Sequence, residues 1–170
     1  LTALINNAST FKADTAQDFT TATREYHMAV NLDAPLRLAQ DFAAQTDHGV
    51  ILNMIDQRVL KPNPQFFTYS VAKAALYWAT KTLAQAFAPN IRVNGIGPGP
   101  TLENTSQAPG EFDAEVQATL LGTGSPPETV LQAVRYLLAA ETVTGQMIAV
   151  DGGQHLVWQT PDLAFGGAIS

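Results

Sequence analysis

A tyrosine and a lysine lie four positions apart, at Tyr69 and Lys73, in a segment rich in alanine and leucine. On a helix these positions share a face, so the two side chains are expected to be neighbours. A phenol is a poor acid at neutral pH because its pKa is about 10, and a neighbouring ammonium favours the phenolate. The pair is therefore suited to proton transfer, although the same spacing also arises where a tyrosine packs and a lysine is solvated.

An acidic residue, Asp56, comes before this pair and directly after an apolar run, residues 50–55. Such a run predicts a buried β-strand, so Asp56 is expected at the carboxyl end of that strand. There it can take part in the proton transfer, or it can simply cap the loop that follows. Asn7 and Gly97-Pro98-Gly99 follow two further predicted strands, and sites in open parallel sheets form at the carboxyl ends of the strands.

Short apolar runs alternate with longer helical segments along the chain. The predicted strands are residues 4–5, 50–55, 91–96 and 145–150, and residues 97–100 are a predicted loop. The predicted helices are residues 18–45, 68–87, 112–121 and 126–140, with a kink or break at Pro35. Strands that alternate with helices predict an α/β fold, in which a parallel sheet is covered on both faces.

Composition excludes several classes of function. The 170 residues carry a net charge of −6 without a cluster of lysine or arginine, which argues against nucleic acid and anionic membranes as partners. No cysteine is present, so a disulfide framework and a thiolate metal site are excluded. His27, His48 and His155 form no ligand pattern, so no metal is expected. No apolar run has the length of a membrane span and the N-terminus is a poor signal peptide, so a cytoplasmic location is expected.

Several motifs occur in order and at suitable spacing along nearly the whole chain. They are Ile5-Asn6-Asn7-Ala8-Ser9, Asn31, Tyr69-Ser70-Val71-Ala72-Lys73, Ile91-Arg92-Val93-Asn94 with Gly97-Pro98-Gly99, and Thr144-Gly145-Gln146 with Asp151-Gly152-Gly153. Together they resemble the C-terminal two-thirds of a short-chain dehydrogenase/reductase. The resemblance implies a Rossmann-like, doubly wound parallel sheet, with residues 1–170 as one domain. Nothing matches the family's G-x-x-x-G-x-G phosphate loop, so this domain is expected to lack that loop and its first strands.

The same resemblance implies roles for individual residues. Tyr69 is the implied proton donor, and Lys73 is implied to bind the nicotinamide ribose and to lower the pKa of the tyrosine. Asn31 is implied to hold a water in the proton relay. The implied cofactor is NADP, with NAD not excluded, and the implied cofactor-binding residues are Asn7, Ala8, Ser9, Tyr69, Lys73, Pro98 and Gly99. Members of this family associate through their helices, which implies a homotetramer or a homodimer.

Asp56 stands where the family usually has serine. A neutral hydroxyl polarises a carbonyl, whereas a carboxylate repels a developing oxyanion and suits ring nitrogens that carry or accept protons. Together with Phe11 in the Asn-Ala-Ser-Thr-Phe stretch, this departure resembles the pteridine reductases and the bacterial dihydromonapterin and dihydrofolate reductases. The resemblance implies a pterin-like substrate bound by Phe11, Asp56 and Tyr69, with its flat ring against an aromatic side chain. Phe11 can equally be a packing residue of a surface loop.

Two other interpretations stay open. The chain can be a carbonyl or alcohol oxidoreductase of the same family that tolerates the carboxylate, or a non-catalytic fragment or subunit that binds a partner through its long helices. Residues 101–125 are polar and contain glycine and proline, which suits a mobile lid over the substrate. Tyr77 and Trp78 are expected to pack, with a subunit interface as the alternative. Arg58 and Lys61 are expected to face solvent, with an anionic tail of the substrate as the alternative.

Overall fold

The computed structural model describes residues 1–104 and 107–158, which build a parallel β-sheet flanked by helices. The strands are β1 (Ala3–Asn6), β2 (Gly49–Met54), β3 (Ile91–Pro98) and β4 (Met147–Val150), in the spatial order β1-β2-β3-β4. All neighbouring strands in this sheet run parallel, so the predicted α/β class is confirmed. Residues 105, 106 and 159–170, which fall in the predicted lid and at the end of the predicted domain, lie outside the described residues.

Helices connect the strands: α1 (Thr21–Met28), α2 (Ala34–Gln45), α3 (Phe67–Phe87), α4 (Glu111–Gln117) and α5 (Pro127–Ala139). The helix predicted over residues 18–45 is divided, because a π-helical turn at Ala29–Asp33 joins α1 to α2. Pro35 lies in the first turn of α2, directly after this π-helical turn, and as a proline it has no N–H to donate to the preceding turn. In the part of the chain that the structure describes, no helix combines the length and the apolar character needed to cross a membrane.

Both faces of the sheet are buried by helices. Val50 and Leu52 of β2 belong to one apolar cluster, which includes residues of α5. Ile51, between them, belongs to a second cluster with Val93 of β3 and Phe42 of α2, on the opposite face. Successive side chains of a strand point to opposite faces, so a strand covered on both sides must be apolar throughout. This explains the continuous apolar run that predicts β2.

The loop after β3 begins later than predicted, because the strand continues through Gly97 and Pro98 and pairs there with β4. The amides of Gly95 and Gly99 point toward β4, where both donate to backbone carbonyls. The nitrogen of Pro98 therefore faces the β2 side of the strand. β2 ends at Met54, and the Ile55 amide just after it still donates to Ile96, so Pro98 lies at the end of the pairing between these strands, where a missing N–H is tolerated.

Helices α1 and α3 each expose large apolar side chains to solvent. Trp78 is 68% exposed, so the prediction that it packs within the chain is wrong. Val71, also on α3, and Tyr26 on α1 are exposed as well. These exposed side chains suit the subunit contact that the family resemblance implies, and a homotetramer or homodimer stays a prediction.

Candidate active site

Asp56 and Tyr69 are in direct contact. Asp56 comes just after β2 and Tyr69 lies in the first turn of α3, and the phenol Oη donates to the carboxylate Oδ2 over 2.7 Å. Both residues are buried, with Tyr69 5% exposed and Asp56 9% exposed. The end of the strand therefore presents a carboxylate, rather than a neutral hydroxyl, to the residue expected to transfer a proton.

Arg58 holds Asp56 in place. Its backbone N–H donates to Asp56 Oδ1 over 2.8 Å, and its Nη1 lies 3.4 Å from Oδ2. The first of these bonds caps the short 3₁₀ turn Gln57–Val59. One carboxylate oxygen of Asp56 therefore caps the loop, while the other accepts from the phenol, and its part in proton transfer stays a prediction. The expectation that Arg58 faces solvent is wrong, because its side chain is only 21% exposed.

Lys73 lies close to Tyr69 on α3. Its Nζ donates to the carbonyl oxygen of Met54 over 2.8 Å and lies 5.8 Å from the centre of the Tyr69 ring. The residue is 2% exposed, and this burial lowers the pKa of Lys73 from 10.5 to about 8, against the opposing charge of Asp56. Lys73 is therefore mainly an ammonium at neutral pH, and an ammonium has three N–H groups with which to bind neighbours.

The pKa of Tyr69 is raised well above its ordinary value of 10.0. Burial is the largest cause, and the charge of Asp56 and its hydrogen bond to the phenol add to it, while Arg58 acts in the opposite direction. The expectation of a lowered pKa is therefore wrong for the residues described. Tyr69 is held as a neutral phenol, which is the form that can donate a proton.

A second tyrosine–lysine pair with the same spacing lies further along α3, at Tyr77 and Lys81. The Nζ of Lys81 lies 4.2 Å from the centre of the Tyr77 ring. This pair borders a shallow depression with Gln146 and Met147, near the start of β4 rather than at the carboxyl end of a strand. Spacing alone does not distinguish the two pairs, whereas their positions relative to the strand ends do.

Three side chains form an aromatic clamp beside Tyr69: Phe11, Phe66 and Arg58. The rings of Phe11 and Phe66 stack with their centres 4.0 Å apart and an interplanar angle of 12°. Phe11 also meets the ring of Tyr69 in a T-shaped contact at 4.7 Å. The guanidinium carbon of Arg58 lies 5.3 Å and 5.4 Å from the two phenylalanine ring centres, within the range of a cation–π contact.

Phe66 has a φ of 55°, in the left-handed region that a bulky residue rarely adopts. A conformation of this kind costs on the order of 1–3 kcal/mol and persists where the surroundings hold it. Here the Phe66 ring stacks on Phe11 and lines the second cleft. Sequence reasoning does not identify Phe66, because no residue pattern signals a left-handed phenylalanine at the start of a helix.

Asn31 lies in the π-helical turn and is fully buried. Its Oδ1 accepts hydrogen bonds from Ser9 Oγ at 2.8 Å and from the Thr10 amide at 3.1 Å, and its Nδ2 donates to the Thr10 carbonyl at 2.9 Å. Asn31 therefore fixes the segment after β1 that carries Phe11. Its part in a water relay stays a prediction.

Two adjoining clefts open at the carboxyl ends of the strands. The first, of about 650 Å³, is lined by most of the expected cofactor-binding residues, namely Asn7, Ser9, Tyr69, Lys73, Pro98 and Gly99. Ala8, expected with them, does not line it. The second, of about 820 Å³, is lined by the whole aromatic clamp together with Asp56 and Tyr69. Asp56 and Tyr69 line both, so the proton-transferring pair lies where the clefts meet.

The segment predicted as a lid borders the second cleft. Thr101 and Leu102 line it just after β3, and Glu111, Phe112 and Glu115 of α4 line it further along the chain. These positions suit a segment that closes over a substrate, and its mobility stays a prediction.

A buried chain of hydrogen bonds links the Phe11 segment to the start of α3. The Lys12 amide donates to His27 Nε2 over 3.2 Å, so a neutral His27 carries its proton on Nδ1. That Nδ1 lies 2.7 Å from Thr68 Oγ1, and the Thr68 hydroxyl donates to Asp14 Oδ2. His27, Thr68 and Asp14 are 0%, 2% and 8% exposed. Among the described residues, no three His, Asp or Glu side chains are grouped as metal ligands.

Stability is expected to fall in mild acid because of His27. Burial lowers the pKa of His27 below its ordinary value of 6.5, although the charge of Asp14 opposes this. The unfolded chain then binds the proton more readily than the folded one. The free energy of unfolding should therefore decrease as the pH falls below about 6.5 toward the folded-state pKa.

Thermal unfolding between about pH 5 and pH 8 tests this expectation. His27→Gln keeps one donor and one acceptor but cannot titrate, so it should flatten the pH dependence. His48→Gln, at an exposed position, is the matched control and should leave the dependence unchanged. Equal pH dependence in His27→Gln and the wild type would contradict the assignment.

Curated proteins resemble the chain over most of its length. Dihydromonapterin reductase from Citrobacter koseri is 29% identical over 92% of this chain and 67% of its own length. The short-chain dehydrogenase/reductase homolog YusR from Bacillus subtilis is 31% identical over 71% of this chain and 94% of its own length.

Solved structures share the fold. FolM Alternative dihydrofolate reductase 1 from Brucella suis, in complex with NADP, is 46% identical with a TM-score of 0.93, over 96% of this chain and 68% of that protein. Its counterpart from Brucella canis, also complexed with NADP, gives the same identity and TM-score over 67% of its length. The Rossmann-like fold implied by the motifs is confirmed by these likenesses. A family model described as Enoyl-(Acyl carrier protein) reductase matches residues 1–155. The chain therefore belongs to the short-chain dehydrogenase/reductase family of oxidoreductases.

Proposed function

We propose that the chain provides the catalytic part of an NADPH-dependent reductase, which reduces a C=N bond of a pterin- or folate-like ring. The observation that carries this proposal is the 2.7 Å hydrogen bond between Tyr69 Oη and Asp56 Oδ2. The names of similar proteins support it, since they include a dihydromonapterin reductase and FolM dihydrofolate reductases.

A carboxylate at this position favours a nitrogen substrate over a carbonyl. Negative charge develops on oxygen when a carbonyl is reduced, and hydrogen-bond donors or cations are what stabilise it. Asp56 lies within hydrogen-bond distance of the phenol that would protonate that oxygen, so its charge opposes an alkoxide there. The ring N–H and amino groups of a pterin are donors, which a carboxylate binds and orients.

The first cleft suits a nicotinamide dinucleotide. A ribose presents hydroxyl groups, and Lys73 brings an ammonium of which one N–H is bound by the Met54 carbonyl. Asn7 and Gly99, just after β1 and β3, bring backbone and amide groups to its walls. NADPH supplies a hydride when bound. NADP is supported as the cofactor by the two FolM structures, which are NADP complexes.

Tyr69 delivers the proton to the ring nitrogen. Its raised pKa keeps the phenol protonated at neutral pH, and a nitrogen that has gained an electron pair is basic enough to take a proton from a weak acid. Asp56 accepts from the same phenol before the substrate arrives, and the phenol turns its one O–H from Asp56 to the ring nitrogen for the transfer. Lys73 offsets the negative charge that proton transfer leaves on Tyr69.

The substrate ring lies against the outside of the aromatic clamp. The ring centres of Phe11 and Phe66 are 4.0 Å apart, which leaves no room for a third ring between them. Phe11 meets Tyr69 edge-on at 4.7 Å, so a ring bound against this clamp in the second cleft is close to the proton donor.

Phe11→Ala is expected to raise KM for a pterin roughly five- to tenfold, since an aromatic contact contributes about 1 kcal/mol beyond its area. The KM for NADPH should change little, because Phe11 lines the second cleft and not the first. Steady-state kinetics with each substrate varied in turn measure both. Phe19→Ala, which removes a ring that contacts Phe67 outside both clefts, is the matched control. Equal effects of the two substitutions would contradict the assigned role.

A substrate panel tests the proposed function directly. The complete enzyme is assayed with oxidised pterins, dihydrofolate and simple ketones, each with NADPH and with NADH. Reduction of the pterins with NADPH is the expected result. Efficient ketone reduction without pterin reduction would favour a carbonyl reductase instead, and one similar protein is a putative ketoacyl reductase of granaticin polyketide synthesis, 29% identical.

A further inference from the structure

We propose that Asp14, Thr68 and His27 form a positioning network, which locks the segment carrying Phe11 onto the first turn of α3 and so sets where the substrate ring lies relative to Tyr69. This inference rests on the proposed function of the second cleft. None of the three residues lines either cleft, so the network acts through Phe11 and Tyr69 rather than on the substrate.

Asp14 supplies the cap at the start of α3. The first amides of a helix have no partner within it, and Phe66, at the N-cap position, makes no side-chain capping bond. The Asp14 carbonyl accepts from the Phe67 amide over 3.2 Å, and its Oδ1 accepts from the Thr68 amide over 3.0 Å. A carboxylate also suits the positive end of the helix dipole. The start of the catalytic helix is therefore fixed by a residue from the Phe11 segment.

Thr68 and His27 connect this cap back to the same segment. Thr68 binds Asp14 through both its amide and its hydroxyl, and its Oγ1 accepts from His27 Nδ1. His27 Nε2 accepts in turn from the amide of Lys12, the residue next to Phe11. The donors and acceptors are consistent along the whole path from Lys12 to Asp14. The network thus begins and ends within residues 12–14 and passes through α1 and α3.

The position of the network couples it to both aromatic contacts of Phe11. All three members are more than nine-tenths buried, so bulk water does not replace a lost partner. Phe11 immediately precedes the locked residues 12–14, and Phe66 and Tyr69 flank the capped turn. A loosened network therefore changes the contact of Phe11 with Phe66 and with Tyr69 together.

Protonation of His27 is expected to open one end of the network. The charged and titratable groups that face His27 are Asp14, with Oδ2 4.0 Å from Nδ1, the charge of Lys12 and the ring of Tyr69 at 6.1 Å. A proton on Nε2 removes the acceptor of the Lys12 amide. The Phe11 segment is then released while Asp14 still caps α3.

The test compares Thr68→Val, which removes the hydroxyl at nearly constant volume, with Thr68→Ser, which keeps it. Thr80→Val is the matched control, because Thr80 is another buried threonine of α3 whose hydroxyl accepts from Asn53 and donates to the Leu76 carbonyl. For each complete enzyme, KM is measured for a pterin and for NADPH, and amide exchange is followed by mass spectrometry over residues 10–14 and 66–70.

Thr68→Val is expected to raise KM for the pterin roughly fivefold, the equivalent of one lost hydrogen bond, and to leave KM for NADPH unchanged. Exchange should become faster in both segments, Thr68→Ser should restore both readouts, and Thr80→Val should lower thermal stability without changing the ratio of the two KM values. A Thr68→Val enzyme that is less stable but keeps the wild-type KM for the pterin and wild-type exchange in these segments would overturn the proposal.

Two additions to the experiment cover a variant that does not fold and a wild type that does not reduce pterins. If Thr68→Val does not fold, Asp14→Asn replaces it, because the amide keeps one acceptor oxygen and removes the charge. Amide exchange over residues 10–14 that equals that of the wild type would then overturn the proposed positioning network. If the wild type reduces no pterin, the proposed function fails. The exchange data still show whether the network fixes residues 12–14 onto the start of α3. Faster amide exchange in the variant, confined to residues 10–14 and 66–70, supports the positioning network, and exchange equal to that of the wild type overturns it.

Discussion

Replacing Tyr69 by phenylalanine is expected to lower kcat at least about 100-fold, because a positioned general acid contributes roughly 10²–10⁴-fold. The substitution removes one oxygen from a buried ring and keeps the ring contacts with Phe11 and His27. Asp56 loses the phenol as a partner, but Arg58 still binds both carboxylate oxygens. The fold should therefore persist while proton transfer is lost.

Single-turnover reduction of a pterin by the complete enzyme, at saturating NADPH, measures this loss, and thermal unfolding checks the fold. Tyr77→Phe is the matched control, because Tyr77 lies on the same helix at the same spacing from a lysine but away from the carboxyl ends of the strands. A kcat near that of the wild type in Tyr69→Phe, or equal losses in the two variants, would remove this mechanism from consideration.

The two tyrosine–lysine pairs of α3 show what the spacing of residues can and cannot predict about the site. Both tyrosines precede a lysine by four residues, and each lies near its lysine in space. The order of strands and helices separates them, because it places Tyr69 in the first turn of the helix that follows β2 and the loop beginning near Asp56. That order is predictable from sequence, since β2 is apolar throughout and the parallel sheet follows from alternation of strands with helices.

The aromatic clamp and the ionisation of Tyr69 could not be predicted in this way. Phe66 adopts a left-handed conformation and stacks on Phe11, which is distant in sequence. Arg58 is a charged loop residue, and its contacts with Asp56 and two rings follow from how that loop folds back. The pKa of Tyr69 depends mainly on burial, which spacing to a lysine does not report.

Asp56→Ser is expected to lower kcat/KM for a pterin by roughly 10²-fold, the scale of losing one preorganised polar group at a reacting centre. Activity on a simple ketone should hold or rise, because the carboxylate no longer opposes an alkoxide beside Tyr69. Serine is also a good N-cap, so it can keep the bond from the Arg58 amide and the turn Gln57–Val59. The change therefore removes charge with little effect on the loop.

Asp56→Asn separates charge from shape. Asparagine keeps one oxygen acceptor in a side chain of nearly the same size, but it carries no charge and cannot take up or pass on a proton as a carboxylate does. If the charge of Asp56 is what selects a ring nitrogen, the asparagine and serine variants should lose pterin reduction to a similar degree. If the hydrogen bond to Tyr69 Oη is what matters, the asparagine variant should retain most of the pterin reduction.

The ratio of kcat/KM for one pterin to that for one ketone, measured across the wild type and both variants, is the quantity that decides. A ratio that falls in both variants supports selection by charge. Efficient ketone reduction by the wild type, with pterin reduction unchanged in both variants, would make a general carbonyl reductase the better interpretation. Phe11→Ala distinguishes the two contributions further, because it should change the ratio through KM while Asp56→Ser should change it mainly through kcat. Phe11 contributes to binding of the ring, whereas Asp56 bonds the proton donor Tyr69, and the two substitutions therefore report on different steps.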